Sequence, residues 1–143
     1  MKIAIKKISS PEDFQKCMDI RIHIFVQMQN VTMDEEVDGQ DQNSEHFLLF
    51  VHESAVGTAR VRYINNIAKI ERVAVLEGYQ GKGLGQKLME YIIADICASK
   101  QAKKIKLSSQ SYAISFYEKL GFQVCSEEYI DAKIPHKDME LVV

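Results

Sequence analysis

The feature that most constrains the fold is a change of hydrophobic period within residues 71–90. Apolar residues alternate over residues 73–75, as in a β-strand, and then recur at every fourth position from Leu84 to Ile92, as on one face of an α-helix. Three glycines at alternate positions lie between the two patterns: Gly81, Gly83 and Gly85. The stretch therefore predicts a strand, a glycine-rich turn and the first turns of a helix.

The glycines of this turn favour the binding of an anion. A residue without a Cβ lets a ligand approach the backbone closely and tolerates a positive φ, so several N–H groups can point toward one place at the start of the helix. A phosphate or a pyrophosphate is the usual occupant of such a place. An ordinary glycine-rich turn between a strand and a helix is the alternative interpretation.

Two common phosphate-binding motifs do not fit the turn. The Walker motif requires Ser or Thr after its lysine, whereas Lys82 is followed by Gly83. The dinucleotide-binding fingerprint requires its second and third glycines three positions apart and an acidic residue further along the chain. Here Gly83 and Gly85 are two positions apart, and residues 102–106 carry three lysines instead.

The turn resembles the acyl-CoA pyrophosphate loop of the GCN5-related N-acetyltransferase (GNAT) family, Gln/Arg-x-x-Gly-x-Gly/Ala, which Gln80, Gly83 and Gly85 match. Residues 110–122 are similar to a second family segment, Asn-x-x-Ala-x-x-Phe-Tyr-x-x-x-Gly-Phe, with Gln110 in place of the asparagine. Core packing is the alternative explanation for the aromatic pair of that segment. Because the two motifs occur in the family's order and spacing, the chain is identified as a small bacterial single-domain member.

The resemblance implies acetyl-CoA as cosubstrate and no metal. In the family, the loop holds the pyrophosphate, and the helix of the second segment runs beside the pantetheine arm. The residues that the resemblance places at the cofactor are Val73, Ala74, Val75, Gln80, Gly81, Lys82, Gly83, Leu84, Gly85, Gln110, Phe116 and Tyr117.

Length and composition limit the classes that remain. A chain of 143 residues is long enough for one domain with a core and short for two, so a single domain over residues 1–143 is expected. The net charge of −2 does not suggest nucleic acid as a partner. With no signal peptide and no apolar run of membrane-spanning length, a soluble cytoplasmic protein without membrane contact is expected. Three widely separated cysteines suggest buried apolar residues.

The remaining elements are predicted from periodicity and turn residues. A first helix is expected to begin at Ser10 as N-cap, with Pro11 at its first position and one apolar stripe of Phe14, Met18, Ile22 and Phe25. Strands are expected near residues 3–8, 46–53, 55–63, 68–76, 104–107, 123–130 and 138–142, and the helix after the glycines extends to about Ser99. The fold class is thus α/β, with a mixed, mostly antiparallel sheet flanked by helices. The resemblance adds that the fourth and fifth strands splay apart around the cofactor.

The chemistry of acetyl transfer requires a base, an oxyanion donor and an acid. An ammonium group with a pKa of about 10 must lose a proton before it attacks the thioester. The family stabilises the oxyanion with a backbone N–H of its fourth strand, here residues 73–75, and Tyr117 occupies its general-acid position. Glu71 stands where some small-amine acetyltransferases of the family carry a glutamate; Glu36, His46, His136 and a water chain remain alternatives as the base.

The sequence signals for the acceptor-binding residues are less specific than those for the cofactor-binding residues. Acidic residues accumulate in residues 32–45, which fits either a solvated loop or a surface that attracts a cationic amine. The expected acceptor-binding residues are Glu36, Asp38, His46 and His136. Together with Arg21-x-x-x-Phe-Val26 and Pro135-His-x-x-Met139, they resemble a branch of small bacterial acetyltransferases, although Met28 replaces that branch's glutamate and Gln29 is retained.

The sequence therefore predicts an acetyl-CoA-dependent N-acetyltransferase that acts on a primary amine of a small molecule by direct attack on the thioester. Acetylation of a protein or peptide amine is one alternative. A non-catalytic module that senses acyl-CoA is the other. The acceptor is not identified by the sequence, and the family leaves a homodimer open.

Overall fold

The computed structural model describes residues 1–143, in which helices cover both faces of one eight-stranded sheet. The strands are β1 Ile3–Lys7, β2 Glu45–Val51, β3 Ser54–Ile64, β4 Ile67–Val75, β5 Lys104–Gln110, β6 Gln123–Val124, β7 Tyr129–Asp131 and β8 Ile134–Val142. The helices are α1 Pro11–Arg21, α2 Met33–Glu36, α3 Leu84–Ser99 and α4 Ile114–Glu118, with a π-helical segment at Ile22–Met28. Short 3₁₀ turns lie at Asp41–Asn43, Glu77–Tyr79 and Ser111–Ala113.

The sheet confirms the predicted fold class. Its order is β1-β2-β3-β4-β5-β8-β6, with β7 also paired to β8, and only β4 and β5 run parallel. The parallel ladder spans Ile67 to Ile70 on β4 and Lys104 to Leu107 on β5 and goes no further. Both strands continue beyond that point, so they separate at their carboxyl ends as expected.

A β-bulge lies in β4 where the two strands separate. Arg60 on β3 pairs with Glu71 and Thr58 pairs with Ala74, so two residues of β4 oppose one of β3. The extra residue brings Arg72 to a φ of 58°, which is uncommon for a residue with a side chain. The bulge changes the direction of the β4 backbone at the point where β4 no longer pairs with β5.

The first helix begins as predicted and continues differently. The Ser10 hydroxyl accepts a hydrogen bond from the Asp13 N–H at 3.1 Å, and Pro11 is the first helical residue. The predicted stripe is only half-buried, because the face against the sheet consists of Cys17, Ile20, Arg21 and Ile24. After Arg21 the helix widens into seven π-helical residues, a rare form that a 3.6-residue period does not predict.

Helix α3 packs on the opposite face of the sheet. Its stripe of Leu84, Leu88, Ile92 and Ile96 is buried as predicted, together with Met89. These side chains join Phe47, Leu49, Val61, Ile70 and Ile105 of the sheet in one core. Burial of each such side chain contributes about 1.5–3 kcal/mol, so this packing fixes the position of the glycine turn that precedes α3.

Two expectations about the chain were wrong. The strand predicted over residues 123–130 is two short strands, β6 and β7, because residues 125–128 leave the ladder and Ser126 accepts the Asp138 N–H through its side chain. Of the three cysteines, Cys17 is buried, whereas Cys97 and Cys125 are exposed. No helix is long and apolar enough to cross a membrane.

Candidate active site

A cavity of about 490 Å³ lies where β4 and β5 separate. Its floor is formed by the carboxyl ends of both strands, from Lys69 to Val75 and from Leu107 to Gln110. The π-helical segment and α2 form one wall, α4 forms a second, and β7 and β8 form a third. The structure thus brings Glu36, Glu71, Gln80, Gln110, Tyr117 and His136 to one cavity, together with residues 73–75.

The glycine turn has the geometry expected of an anion cradle. Gly81 and Gly83 both have a φ of 76°, and a Cβ added at either position would meet no protein atom within 4 Å. Gly83 is the N-cap of the 16-residue helix α3, whose first N–H groups have no partner within the helix. The space above these two glycines is therefore open to a phosphate group.

Gly85 has a different surrounding from the other two glycines. It is helical, and an added Cβ would lie 3.4 Å from the Phe116 ring and 4.0 Å from a Val75 methyl group. Leu84 beside it is buried in the core. The absence of a side chain at the third glycine thus lets α3 approach α4 and β4 closely.

Two polar side chains of the turn bind other parts of it. Gln80 donates from Nε2 to the Val75 carbonyl at 2.8 Å, which ties the turn to the end of β4. The Lys82 ammonium lies 5.7 Å from the centroid of the Tyr79 ring, a cation–π contact that leaves Lys82 at the surface of the turn. Neither contact prevents an anion from reaching the N–H groups of the turn.

Helix α4 ends in a Schellman motif that fixes Tyr117. The Phe122 N–H donates to the Tyr117 carbonyl at 3.2 Å, and the Gly121 N–H donates to the Glu118 carbonyl at 3.0 Å. Gly121 has the required positive φ of 103°. The buried Phe122 ring packs edge-on against Tyr117, as does Phe116 from the other side. Backbone and side-chain contacts thus hold the tyrosine ring in one orientation.

The Tyr117 hydroxyl lines the cavity without a hydrogen-bond partner in the protein. Burial raises the pKa of this hydroxyl above its usual value. The group is therefore protonated at neutral pH and can donate a proton or a hydrogen bond to an atom inside the cavity.

Gln110 and Gln29 meet across the cavity. Gln110 Nε2 donates to Gln29 Oε1 at 2.7 Å and joins the end of β5 to the end of the π-helical segment. The sequence provided each residue as part of a separate motif and gave no indication that they pair.

Within residues 32–45, Glu36, Asp38 and Asp41 pair with arginines, whereas Asp34 and Glu35 are exposed. Four arginines and four carboxylates interlock beside the cavity: Arg21, Arg60, Arg62 and Arg72 with Glu36, Asp38, Asp41 and Glu71. Glu36 is 1% exposed. Asp38 contacts Arg60 and Arg72 and is not one of the residues that line the cavity. A hydrogen bond from Arg60 lowers the pKa of Asp38. The cluster has no net charge and connects α1, α2, β3 and β4.

Glu71 belongs to this cluster as well as to the cavity. Its Oε1 accepts from Arg60 at 2.8 Å and from Arg62 at 2.6 Å, and its Oε2 accepts from Arg62 at 3.0 Å. Burial opposes ionisation of Glu71, but the two arginines outweigh it and lower the pKa. A carboxylate held in this way is a weak base. Both partners of Glu71 are arginines of β3.

The two candidate histidines have different surroundings. His46 packs against the Phe14 ring, its Nε2 lies 2.9 Å from the Asp41 carbonyl, and it does not line the cavity. Burial lowers the pKa of His46. His136 lines the cavity, stacks on Tyr129 and has its Nδ1 2.7 Å from the Ile134 carbonyl.

A polar group on the third wall was not predicted from the sequence. The Tyr129 hydroxyl bonds to Ser108 on β5 and donates to Asp138 on β8 at 2.5 Å. Burial and the Asp138 hydrogen bond raise the pKa of Tyr129 to about 12. Only the register of β5 with β8, which pairs Ser108 with Asp138, brings these residues together. No local motif encodes that pairing.

Comparison with known proteins identifies relatives over nearly the whole chain. Residues 12–143 match a family model described as acetyltransferase (GNAT) domain. The uncharacterised N-acetyltransferase YjcF of Bacillus subtilis is 35% identical over 140 residues, covering 97% of this chain and 98% of YjcF.

Solved structures agree with that match. The crystal structure of Escherichia coli ElaA superposes with a TM-score of 0.88 at 25% identity, covering 97% of this chain and 99% of ElaA. A Bacillus subtilis acetyltransferase solved in complex with CoA has a TM-score of 0.76 at 18% identity and shares the fold over 99% of both chains.

Proposed function

The chain belongs to the GNAT acetyltransferase family, and on that premise we propose that it transfers an acetyl group from acetyl-CoA to the primary amine of a small molecule. The observation that carries the proposal is the opening between β4 and β5, at which the Tyr117 hydroxyl has no partner. A thioester in that opening would lie between unpaired backbone donors and a protonated hydroxyl.

The glycine turn supports acetyl-CoA as the cosubstrate. The open space above Gly81 and Gly83 and the N-terminus of α3 suit a pyrophosphate, and the gap between β4 and β5 suits an extended arm. Acetyltransferases of the same fold have been solved with CoA and with acetyl-CoA bound. Gln110 and Phe116 are proposed to line the path of the arm, and Lys82 to lie near its phosphates.

The end of β4 supports stabilisation of the oxyanion. Beyond Ile70 the edge of β4 that faces β5 has no strand partner, and the bulge at Arg72 interrupts the ladder on its other side. An N–H of residues 73–75 can therefore donate to the thioester oxygen as negative charge develops on it. Tyr117 is proposed to protonate the sulfur as it leaves.

The size of the cavity favours a small acceptor. A volume of about 490 Å³ is in the range typical of small-molecule sites, about 300–1,000 Å³. Glu36 is proposed to shape the acceptor side through its pairing with Arg21 and Arg72, since these arginines neutralise its charge.

The test has two stages. The first is thermal unfolding of the protein alone and with acetyl-CoA, CoA, ATP or NADH, because a ligand at 100 times its dissociation constant stabilises by about 2.7 kcal/mol. The second follows acetylation of amino sugars, polyamines and amino acid amides by mass spectrometry. Stabilisation by the CoA compounds alone, followed by one acetylated amine, supports the proposal; a larger shift with ATP or NADH contradicts it.

The same experiment separates the alternatives. A protein or peptide acetyltransferase would modify lysine peptides and leave the small amines unchanged. A sensor of acyl-CoA would be stabilised by the CoA compounds and acetylate no amine at all.

A further inference from the structure

His136 combines burial with an unused nitrogen inside the cavity. Its side chain is 8% exposed and lies on β8 opposite Gln110 of β5. Nδ1 lies 2.7 Å from the Ile134 carbonyl, which can only accept, so Nδ1 carries the proton of the neutral ring. Nε2 then bears the free lone pair, and no protein group donates to it. A ligand or a water molecule that enters the cavity can therefore donate a hydrogen bond or a proton to Nε2.

The hydrogen bond to Ile134 and the ring of Tyr129 fix the imidazole. The two rings stack at 6.0 Å between centroids and 21° between planes. Tyr129 is itself fixed by Ser108 and Asp138. The nitrogen that faces the cavity is therefore preorganised, as a group that accepts a proton must be.

The other basic groups around the cavity are already occupied. Glu71 and Glu36 are held by arginines, and Asp138 accepts from Tyr129. Asp131 and Glu35 are exposed at the rim. Of the three tyrosines that line the cavity, Tyr117 and Tyr129 have raised pKa values and carry protons, and Tyr112 is exposed. Of the side chains that line the cavity, His136 alone combines a largely buried ring with a basic nitrogen that has no hydrogen-bond partner in the protein.

We infer that His136 is the general base that takes a proton from the acceptor ammonium group, an inference that rests on the proposed function. The nitrogen of the resulting neutral amine forms a bond to the thioester carbon, and the C–S bond then breaks. Tyr117 gives its proton to the sulfur, and the second proton lost by the nitrogen replaces it through water. The products are the acetamide, the CoA thiol and one proton, which leaves from the imidazolium group to solvent.

The base role predicts a dependence on acceptor basicity that a structural role does not. Benzylamine is an ammonium ion at neutral pH and needs a base, whereas O-benzylhydroxylamine has the same ring and is already a free base. His136→Asn keeps a side-chain amide donor for the Ile134 carbonyl and has no basic nitrogen. The variant should lose 100-fold or more of kcat/KM with benzylamine, in the range typical of general base catalysis, about 10²–10⁴-fold. With O-benzylhydroxylamine it should lose less than tenfold.

The experiment compares wild type, His136→Asn and the control His52→Asn with both acceptors. His52 is exposed in the β2–β3 turn at a φ of 48°, which asparagine tolerates, and it lies outside the cavity. Acetyl-CoA must stabilise all three proteins equally in thermal unfolding, which shows that the fold and the donor site are intact. Equal losses with the two acceptors, or no loss with either, would overturn the base role while leaving the proposed function standing. A wild-type protein that binds acetyl-CoA and acetylates neither probe nor any amine of the panel would overturn both.

Discussion

At the scale of single residues, the roles in the site depend on contacts as much as on residue type. Tyr117 and Glu71 were both expected to be catalytic, but their surroundings differ. Tyr117 has a free hydroxyl in the cavity, whereas Glu71 has both oxygens bonded to arginines. The proposed mechanism therefore assigns proton donation to Tyr117 and no proton transfer to Glu71.

Removal of the Tyr117 hydroxyl tests the first of these assignments. Tyr117→Phe keeps the ring contacts to Phe116 and Phe122 and deletes only the proton donor. We expect kcat to fall by about 10²–10⁴-fold, as is typical of a lost general acid, with the affinity for acetyl-CoA nearly unchanged. Steady-state kinetics and thermal shifts with acetyl-CoA measure the two quantities. An unchanged kcat would remove Tyr117 from the mechanism.

Arg60 tests whether the arginine and carboxylate cluster stabilises the fold. Its side chain is 0% exposed and contacts Asp38, Asp41 and Glu71. Arg60→Leu leaves these three carboxylates without their shared cation, so we expect a loss of about 3–5 kcal/mol in the free energy of unfolding. Denaturant unfolding measures the loss. Lys104→Leu removes a partly exposed pair with Glu140 and serves as the control, with an expected change below about 1 kcal/mol. Equal effects of the two substitutions would show that the cluster has no special role.

At the scale of elements, the glycine turn is the part of the site that the sequence predicts best. Gly83→Val should abolish binding of acetyl-CoA, because a branched side chain would occupy the open space at the start of α3. The matched control is Gly39→Val. Gly39 has a φ of 78° and the same open surroundings but lies in the loop after α2, outside the glycine turn. Both variants bear the strain of a positive φ, about 1–3 kcal/mol, and only Gly83→Val should lose its thermal shift with acetyl-CoA. Loss in both, or in neither, would contradict the assignment of the turn.

Elements defined by local patterns were predictable, and those defined by pairing were not. The cap at Ser10, the stripe of α3 and the turn at Gly83 each depend on residues that are close together in the chain. The π-helical segment, the break between β6 and β7 and the bulge at Arg72 depend on what the neighbouring strands and helices require. The hydrogen bond of His136 to Ile134 is local, but the cavity that it faces exists only because β4 and β5 separate.

At the scale of the whole molecule, one cluster of arginines and carboxylates joins α1 and α2 to strands β3 and β4. Arg21 comes from α1, Glu36 from α2, Arg60 from β3 and Arg72 from the bulge of β4. The sequence showed only an acidic run, and two interpretations of it were open. The arginines that pair with Glu36, Asp38 and Asp41 are Arg21, Arg60 and Arg72, which are far apart in the chain, so their convergence follows from the fold alone.

His46 and the carboxylates of the charge cluster should make the stability of the molecule depend on pH in two steps. Burial lowers the pKa of His46, so the folded state binds fewer protons than the unfolded state below the ordinary histidine pKa of 6.5. Stability should therefore begin to fall as the pH drops through 6.5. Asp38, Asp41 and Glu71 also have lowered pKa values, so their contribution is present above about pH 4.5 and is lost as the pH falls further.

Denaturant unfolding between pH 8 and pH 5 isolates the first step. His46→Gln should be less stable than wild type at pH 8 and should show a flatter profile from pH 7 to pH 5, because the titrating group has been removed. His23→Gln is the control: the exposed His23 pairs with Glu77, which raises its pKa, so it gains protons on folding and opposes the slope. Its removal should steepen the decline slightly. If His46→Gln declined as steeply as wild type, the loss of stability in this range would have to come from groups other than the buried histidine.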